Sequence, residues 1–253
     1  MFRNFQNTSS SFSDRLYPRT DVSRVGTLPI PQPATIVTDG LRLYLDAGNA
    51  SSYPGSGTTW TDISGYGNNF TLVNGPTFTT ESGGAIVFDG TNDYATGPNA
   101  NLYGITADAT IELIIKPTQA VTGASFRFQS NENIRGLFAH TPYSDNTYYY
   151  DSAGQRIQFT DATLINQNAY FVFRRRAATS PYREIIRNSV QRAADTNALN
   201  AMTLNANPVL LAAVPADAEY FKGNMYVFRV YNRALSDAEL AQNYSVDRAR
   251  FGL

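Results

Sequence analysis

The chain has 253 residues, a formal charge of −1 and no cysteine, so it can bury a sandwich-sized core without disulfides or thiolate metal sites. Its near-zero charge argues against nucleic acid or an anionic membrane as partner. No apolar run approaches the roughly 20 residues of a membrane span, and Met1-Phe2-Arg3-Asn4-Phe5-Gln6-Asn7 lacks the apolar core of a secretion signal; a soluble, unsecreted protein is expected.

Residues 1–38 read as an extended amino-terminal arm. Thr8-Ser9-Ser10-Ser11 is low in hydrophobicity, and Pro18, Pro29, Pro31 and Pro33 oppose a regular helix or a central strand. Four arginines against two aspartates make the arm mildly basic. Its candidate partner-contacting residues are Phe2, Arg3, Phe5, Arg15, Leu16, Tyr17, Arg19 and Arg24. The same composition also fits a disordered tail.

From Asp39 the pattern changes. Leu41, Leu43 and Leu45 alternate with Arg42 and Tyr44, the period of a half-buried strand. Turn-rich stretches follow at 49–57 and 65–69, then short strands at 70–73 and 85–88 around Asn74-Gly75-Pro76. A stronger strand at 110–117 closes on its proline. Further strands are predicted at 125–130, 137–139, 147–150, 156–159, 170–175, 184–190 and 225–232. Many short strands separated by turn signals indicate a sandwich or barrel. One helix is expected over 237–247, because Ser236-Asp237-Ala238-Glu239 fits a capping box and Leu235 and Leu240 stand at staple positions.

Two separated blocks carry a family resemblance. The first contains Trp60-Thr61-Asp62-Ile63-Ser64-Gly65-Tyr66-Gly67-Asn68 and Phe88-Asp89-Gly90-Thr91-Asn92-Asp93-Tyr94; the second runs from Gly223 through Tyr231-Asn232-Arg233-Ala234-Leu235-Ser236 to Glu239. Together they resemble the opening and closing strands of a laminin-G-like, concanavalin A-like jelly roll. The resemblance implies an all-β, two-sheet antiparallel sandwich over residues 39–253, with a short C-terminal helix and the arm of residues 1–38 outside it. Between the blocks, Arg187-Asn188-Ser189-Val190 stands where the family usually has an Asn-Gly turn, and Pro208-Val209-Leu210-Leu211-Ala212-Ala213 replaces a glycine-centred strand.

Fold alone does not decide chemistry. The single histidine, His140, has no serine or cysteine arranged around it and reads as structural. Glycoside hydrolysis needs two carboxylates facing one cleft. The Glu-x-Asp-x-x-Glu run of related glucanases is missing, Glu112 is flanked by apolar residues, and no enzyme is expected. Asp46, Asp62, Asp89 and Asp93 sit in Gly/Asn-rich turns and are candidate calcium ligands, with Asx-turn hydrogen bonding as the alternative. Tyr53, Tyr66 and Tyr149 are candidate glycan-stacking rings, beside Trp60, Tyr148 and Tyr150. Arg174-Arg175-Arg176 reads as a set of interface salt bridges, since alternation splits it across two faces.

The block from 39 to 94 is also similar to segments of bacteriophage virion structural proteins. That resemblance implies a capsid-decorating protein on the virion surface, tethered by its arm with the sandwich outward. Its partners would be the major capsid protein or other virion subunits, and a homo-oligomer stays open. The alternative is a glycan-binding receptor-recognition module of a tail or head fibre. The expected cofactor is none, or calcium at the aspartate turns.

Overall fold

In the computed structural model the described residues are 35–120, 123–129, 136–150, 156–199 and 202–253. The arm contacts expected of Phe2, Arg3, Phe5, Arg15, Leu16, Tyr17, Arg19 and Arg24 lie outside them.

The chain alternates between two antiparallel sheets. Its first strands are β1 (Leu41–Asp46), β2 (Thr59–Trp60), β3 (Phe70–Val73), β4 (Thr77–Thr79), β5 (Ala85–Asp89) and β6 (Tyr94–Asn99). The middle supplies β7 (Ala109–Pro117), β8 (Ala124–Phe128), β9 (Leu137–Tyr143), β10 (Asn146–Tyr150), β11 (Arg156–Thr160) and β12 (Ala169–Arg175). The last are β13 (Arg183–Arg187), β14 (Val190–Asp195), β15 (Pro208–Leu211), β16 (Ala213–Val214), β17 (Glu219–Tyr220) and β18 (Lys222–Tyr231), followed by helix α1 (Asp237–Phe251).

The first sheet has the order β14-β13-β12-β7-β18-β5-β4, with β1 also paired to β18. The second has the order β11-β10-β9-β8-β15-β6-β3-β2, and β16 and β17 pair only with each other. Between the sheets lies one apolar core. It includes Leu43 and Leu45 from β1, Phe126 and Phe128 from β8, Phe171 and Phe173 from β12, and Phe228 and Val230 from β18. These residues stand two apart along their strands, so alternation sends each pair to the same face. This is the two-sheet jelly roll expected from the motifs.

A second apolar layer covers the outer face of the first sheet. Leu240, Asn243, Asp247 and Phe251 are the buried residues of α1, at the three- and four-residue spacing that makes one helical face. They pack with Ile114, Tyr170, Val172, Tyr226 and Tyr231 of the sheet. The helix starts where the capping box predicts. Ser236 Oγ accepts from the Glu239 N–H at 3.3 Å, and Glu239 Oε2 accepts from the Ser236 N–H at 2.8 Å. It runs four residues past the expected end, to Phe251, because Gly252 supplies the left-handed cap at φ 65°.

Residues 35–38, read from sequence as the end of the arm, are held on this same layer. The Val37 N–H donates to Asn243 Oδ1 at 2.8 Å, Tyr231 Oη donates to the Val37 carbonyl at 3.0 Å, and Gln242 Nε2 donates to the Thr35 carbonyl at 2.6 Å.

The predicted strand at 184–190 is instead one arm of a hairpin. Asn188 and Ser189 have φ of 50° and 63°, the double left-handed geometry of a two-residue hairpin turn, so the chain reverses there and β14 pairs back on β13.

Candidate functional site

The outer face of the second sheet carries the grouping of functional side chains. Strand β10 alternates: Tyr149 points into the main core and is fully buried, while Tyr148 and Tyr150 belong to a separate small cluster on the other face with Ala124, Phe138 and Val214. Register then brings in the neighbours. Tyr148 stands opposite His140, Tyr150 opposite Phe138, and on the other side Tyr150 stands opposite Arg156. A strap made of β16, the turn Pro215–Asp217 and β17 contributes Glu219 from 79 residues away.

His140, Tyr143, Tyr148, Tyr150, Arg156 and Glu219 enclose a cleft of about 200 Å³. His140 Nε2 lies 2.9 Å from Glu219 Oε2. An ionised carboxylate only accepts, so in the neutral ring Nε2 carries the proton and Nδ1 bears the lone pair. Nδ1 is buried and has no partner among the described residues. The Tyr143 ring stacks on the imidazole at 5.0 Å and 12°, and Tyr148 meets Tyr143 edge-on at 5.7 Å. The Arg156 guanidinium lies 4.9 Å over the Tyr148 ring and donates to Tyr150 Oη at 3.3 Å. That hydrogen bond raises the Arg156 pKa above its ordinary value, so the cation is permanent. Among the described residues the result is a small enclosure with aromatic walls, one arginine and one carboxylate.

The sequence-predicted site residues lie mostly elsewhere. Tyr149 is in the core against Phe173 at 5.4 Å, and Tyr53 is buried against Phe78 with its hydroxyl donating to the Gly57 carbonyl at 2.9 Å. Neither offers a ring to a ligand. Trp60 is buried in the same core. Tyr66 is exposed at 57%, but lies with Arg42, which stacks on it at 4.6 Å, near Ile63 and Tyr44 and not with the cleft.

The four aspartates do not converge. Asp46 accepts from Arg250 Nη1 through both oxygens at 2.8 Å. Asp62 accepts from the N–H groups of Tyr44, Ser64 and Asn68 at 2.8–2.9 Å. Asp89 accepts from Thr91 N–H at 2.7 Å, which lowers its pKa, and Asp93, whose pKa burial raises, accepts from Asp89 N–H at 3.2 Å. Asp62, Asp89 and Asp93 are thus turn-forming acceptors, and Asp46 is held in an ion pair. Among the described residues no three His, Cys, Asp or Glu side chains group as a metal would require.

The arginine triplet is intramolecular. Arg174 donates to Glu184 at 2.7 Å and pairs with Asp237 at 2.7 Å, Arg176 pairs with Glu184 at 2.5 Å, and Arg175 donates to the Ala107 carbonyl. The groove beside Arg174, Glu184 and Asp237 therefore presents charges already matched to each other.

The family model described as the concanavalin A-like lectin/glucanases superfamily matches residues 89–241. The chain belongs to that superfamily. No curated protein sequence matches it. Among solved structures, a botulinum neurotoxin serotype G binding domain superposes with a TM-score of 0.64 at 12% identity, over 83% of this chain and 51% of that one. Domain 4 of an extracellular arabinanase from Geobacillus stearothermophilus, in complex with arabinotriose, gives 0.56 at 15% identity, over 81% and 98%. Trypanosoma rangeli sialidase in complex with sialic acid gives 0.60 at 12% identity, over 83% and 33%. The chain spans about half the length of the neurotoxin binding domains it resembles. At these identities the superfamily's fold is what is shared, and the cleft has to be judged on its own residues.

Proposed function

We propose that this domain is a non-enzymatic carbohydrate-binding module whose saccharide site is the cleft of His140, Tyr143, Tyr148, Tyr150, Arg156 and Glu219. One observation carries it: aromatic rings, a cation and a carboxylate from three strands and a distant strap meet in one cavity on the outer face of the second sheet. A sugar ring has an apolar C–H face and a rim of hydroxyls. Tyrosine rings match the first, and Arg156 and Glu219 supply a donor and an acceptor for the second. The solved neighbours in complex with arabinotriose and sialic acid support the ligand class by analogy of fold.

Hydrolysis is not proposed. A glycosidase needs two carboxylates flanking the bond, and among the described residues Glu219 is the one carboxylate lining this cleft. Glu112 is sealed on the opposite side of the molecule, bonded to Tyr170 and Asn243.

The test is a glycan array probed with the full chain and with Tyr148→Ala. Reproducible hits that disappear in the variant, at unchanged melting temperature, are the expected result. A blank array for the wild-type chain overturns the proposal.

A virion setting, with the major capsid protein or other virion subunits as partners, is a second proposal. The observation in its favour is placement. Residues 35–38 are held on the helix-covered face of the first sheet, and the cleft lies on the outer face of the second. In that setting the described chain would enter the sandwich on the face opposite its cleft. Co-sedimentation with purified capsids tests it: the full chain should pellet and a chain beginning at Ala34 should not. Equal pelleting rules out the tether.

A further inference from the structure

The cleft is one end of a longer cross-strand row. Strand register places Arg156 opposite Tyr150, Tyr150 opposite Phe138, Phe138 opposite Arg127, Arg127 opposite Leu210, and Leu210 opposite Thr96. The strap crosses the middle of this row, with Val214 packed on Phe138 and Ala124. Beyond the strap lies a second cleft of about 360 Å³, lined by Tyr94, Thr96, Arg127, Gln129, Asn207 and Pro215 among others. Its polar groups are arranged. Asn207 Nδ2 donates to Gln129 Oε1 at 2.8 Å, leaving further donor and acceptor capacity on both amides. Arg127 Nε is buried with no partner among the described residues.

Glu219 links the two clefts. It bonds to His140 in the first, and the strap that carries it also carries Asp217, next to Pro215 and Ala216 that line the second. The two clefts and the strap between them therefore carry two arginines, Arg127 and Arg156, and two carboxylates, Asp217 and Glu219. Among the described residues these four groups bring as many cations as carboxylates, so the row is not built to select an ionic ligand. What it offers is hydrogen-bond donors and acceptors beside aromatic rings.

Resting on the proposed saccharide site, we infer that the second cleft is an extension subsite, and that the ligand is an uncharged oligosaccharide long enough to cross the strap. From Tyr150 on β10 to Thr96 on β6 the row passes four strand spacings, about 19 Å, a span that one sugar ring does not cover and a chain of several rings does. The near-cleft rings stack on one unit. The amides of Gln129 and Asn207 and the Arg127 guanidinium take the hydroxyls of a unit further along the same chain.

Calorimetric titration of the full chain tests this, using arabino-, cello-, malto- and manno-oligosaccharides of one to six units, with N-acetylneuraminic acid and oligogalacturonate as charged probes. The expected result is a Kd that falls at least tenfold between one unit and the longest chain of the series that binds. Asn207→Ala, at the exposed rim, and Arg127→Gln should remove that gain, whereas Tyr148→Ala should abolish binding at every length. A Kd independent of length, a length gain untouched by Asn207→Ala, or tighter binding of the charged probes overturns the inference while leaving the first cleft standing. Absence of binding by every saccharide overturns the first cleft as well.

Discussion

Arg229 of β18 and Asp247 of α1 form a two-pronged ion pair, with Nη1 2.7 Å from Oδ2 and Nη2 3.0 Å from Oδ1. Nη1 also reaches Glu112 Oε2 at 3.1 Å, and Glu112 Oε1 accepts from Tyr170 Oη at 2.6 Å and Asn243 Nδ2 at 2.8 Å. All of these groups are buried. Burial opposes the Arg229 charge, but Asp247, Tyr44 and Glu112 together hold its pKa above the usual arginine range. This network is what registers the helix on the sheet.

Removing one partner leaves the others charged and dry, which is the costly way to break a buried pair. Asp247→Asn is therefore expected to lower unfolding free energy by about 3–5 kcal/mol. Arg248→Ala, on the exposed side of the same helix turn, should stay within about 0.5 kcal/mol of wild type. Urea denaturation followed by circular dichroism measures both. A cost below about 1 kcal/mol for Asp247→Asn, the size of a surface pair, would contradict the network's role.

Gly223 opens the closing motif, and its requirement is steric. Its φ is 143°, and a Cβ there would stand 2.3 Å from the Lys116 carbonyl oxygen and 2.8 Å from the Pro117 Cα. Both contacts are backbone of the adjacent strand β7, paired to β18 over nearly its whole length, so neither can swing aside. Gly223→Ala should cost about 3 kcal/mol or more, combining a disfavoured backbone with a clash. Thermal melting of the purified variant reads the effect; a melting temperature within 2 °C of wild type, what about 0.5–1 kcal/mol produces in a domain of this size, would refute it.

The motifs that announced the fold turn out to be the residues with local hydrogen-bonding duties. Asp62 ties its own turn to β1 through the Tyr44 N–H, Ser236 and Glu239 cap the helix, and Arg233 pairs with Glu239 and Asp39. Short-range patterns of this kind are written in consecutive residues. The cleft is not. Glu219 meets His140 across 79 positions of chain, and Arg156 meets Tyr150 through hairpin register. Period-two alternation does separate Tyr149 from Tyr148 and Tyr150, but it leaves open which set faces the core. Tyr53 and Tyr66 had equal claims in the sequence, and only packing distinguishes the buried ring from the exposed one.

Ser189 occupies a turn position that glycine fits better. It follows Asn188, and both have positive φ. Asn188 is also engaged through its side chain, accepting from the Tyr170 N–H at 2.9 Å. Asparagine tolerates this region, whereas serine carries a left-handed penalty of about 1–2 kcal/mol. Part of that is offset by the larger unfolded-state entropy of glycine. Ser189→Gly is expected to stabilise the protein by about 0.5–1 kcal/mol, and denaturant midpoints at constant slope would show it. A lower midpoint would mean that the serine side chain makes a contribution of its own at the groove it lines.

Glu239 gives the fold an acid limit. The Arg233 guanidinium donates to both its oxygens, at 2.6 and 3.0 Å, and Ser236 adds the capping hydrogen bonds. Arg233 first, then Ser236, push its pKa from 4.5 down to about 2. A depressed folded-state pKa means that the unfolded chain binds the proton more readily. The contribution is therefore fully present above the unfolded value of 4.5 and drains away as pH falls toward 2. Glu239→Gln removes the titrating group, so wild type and variant should differ most above pH 5 and converge between about pH 4.5 and 2. Parallel urea titrations at half-unit pH steps provide the check. A stability difference constant across that window would place the value of Glu239 in its cap geometry and not in its charge.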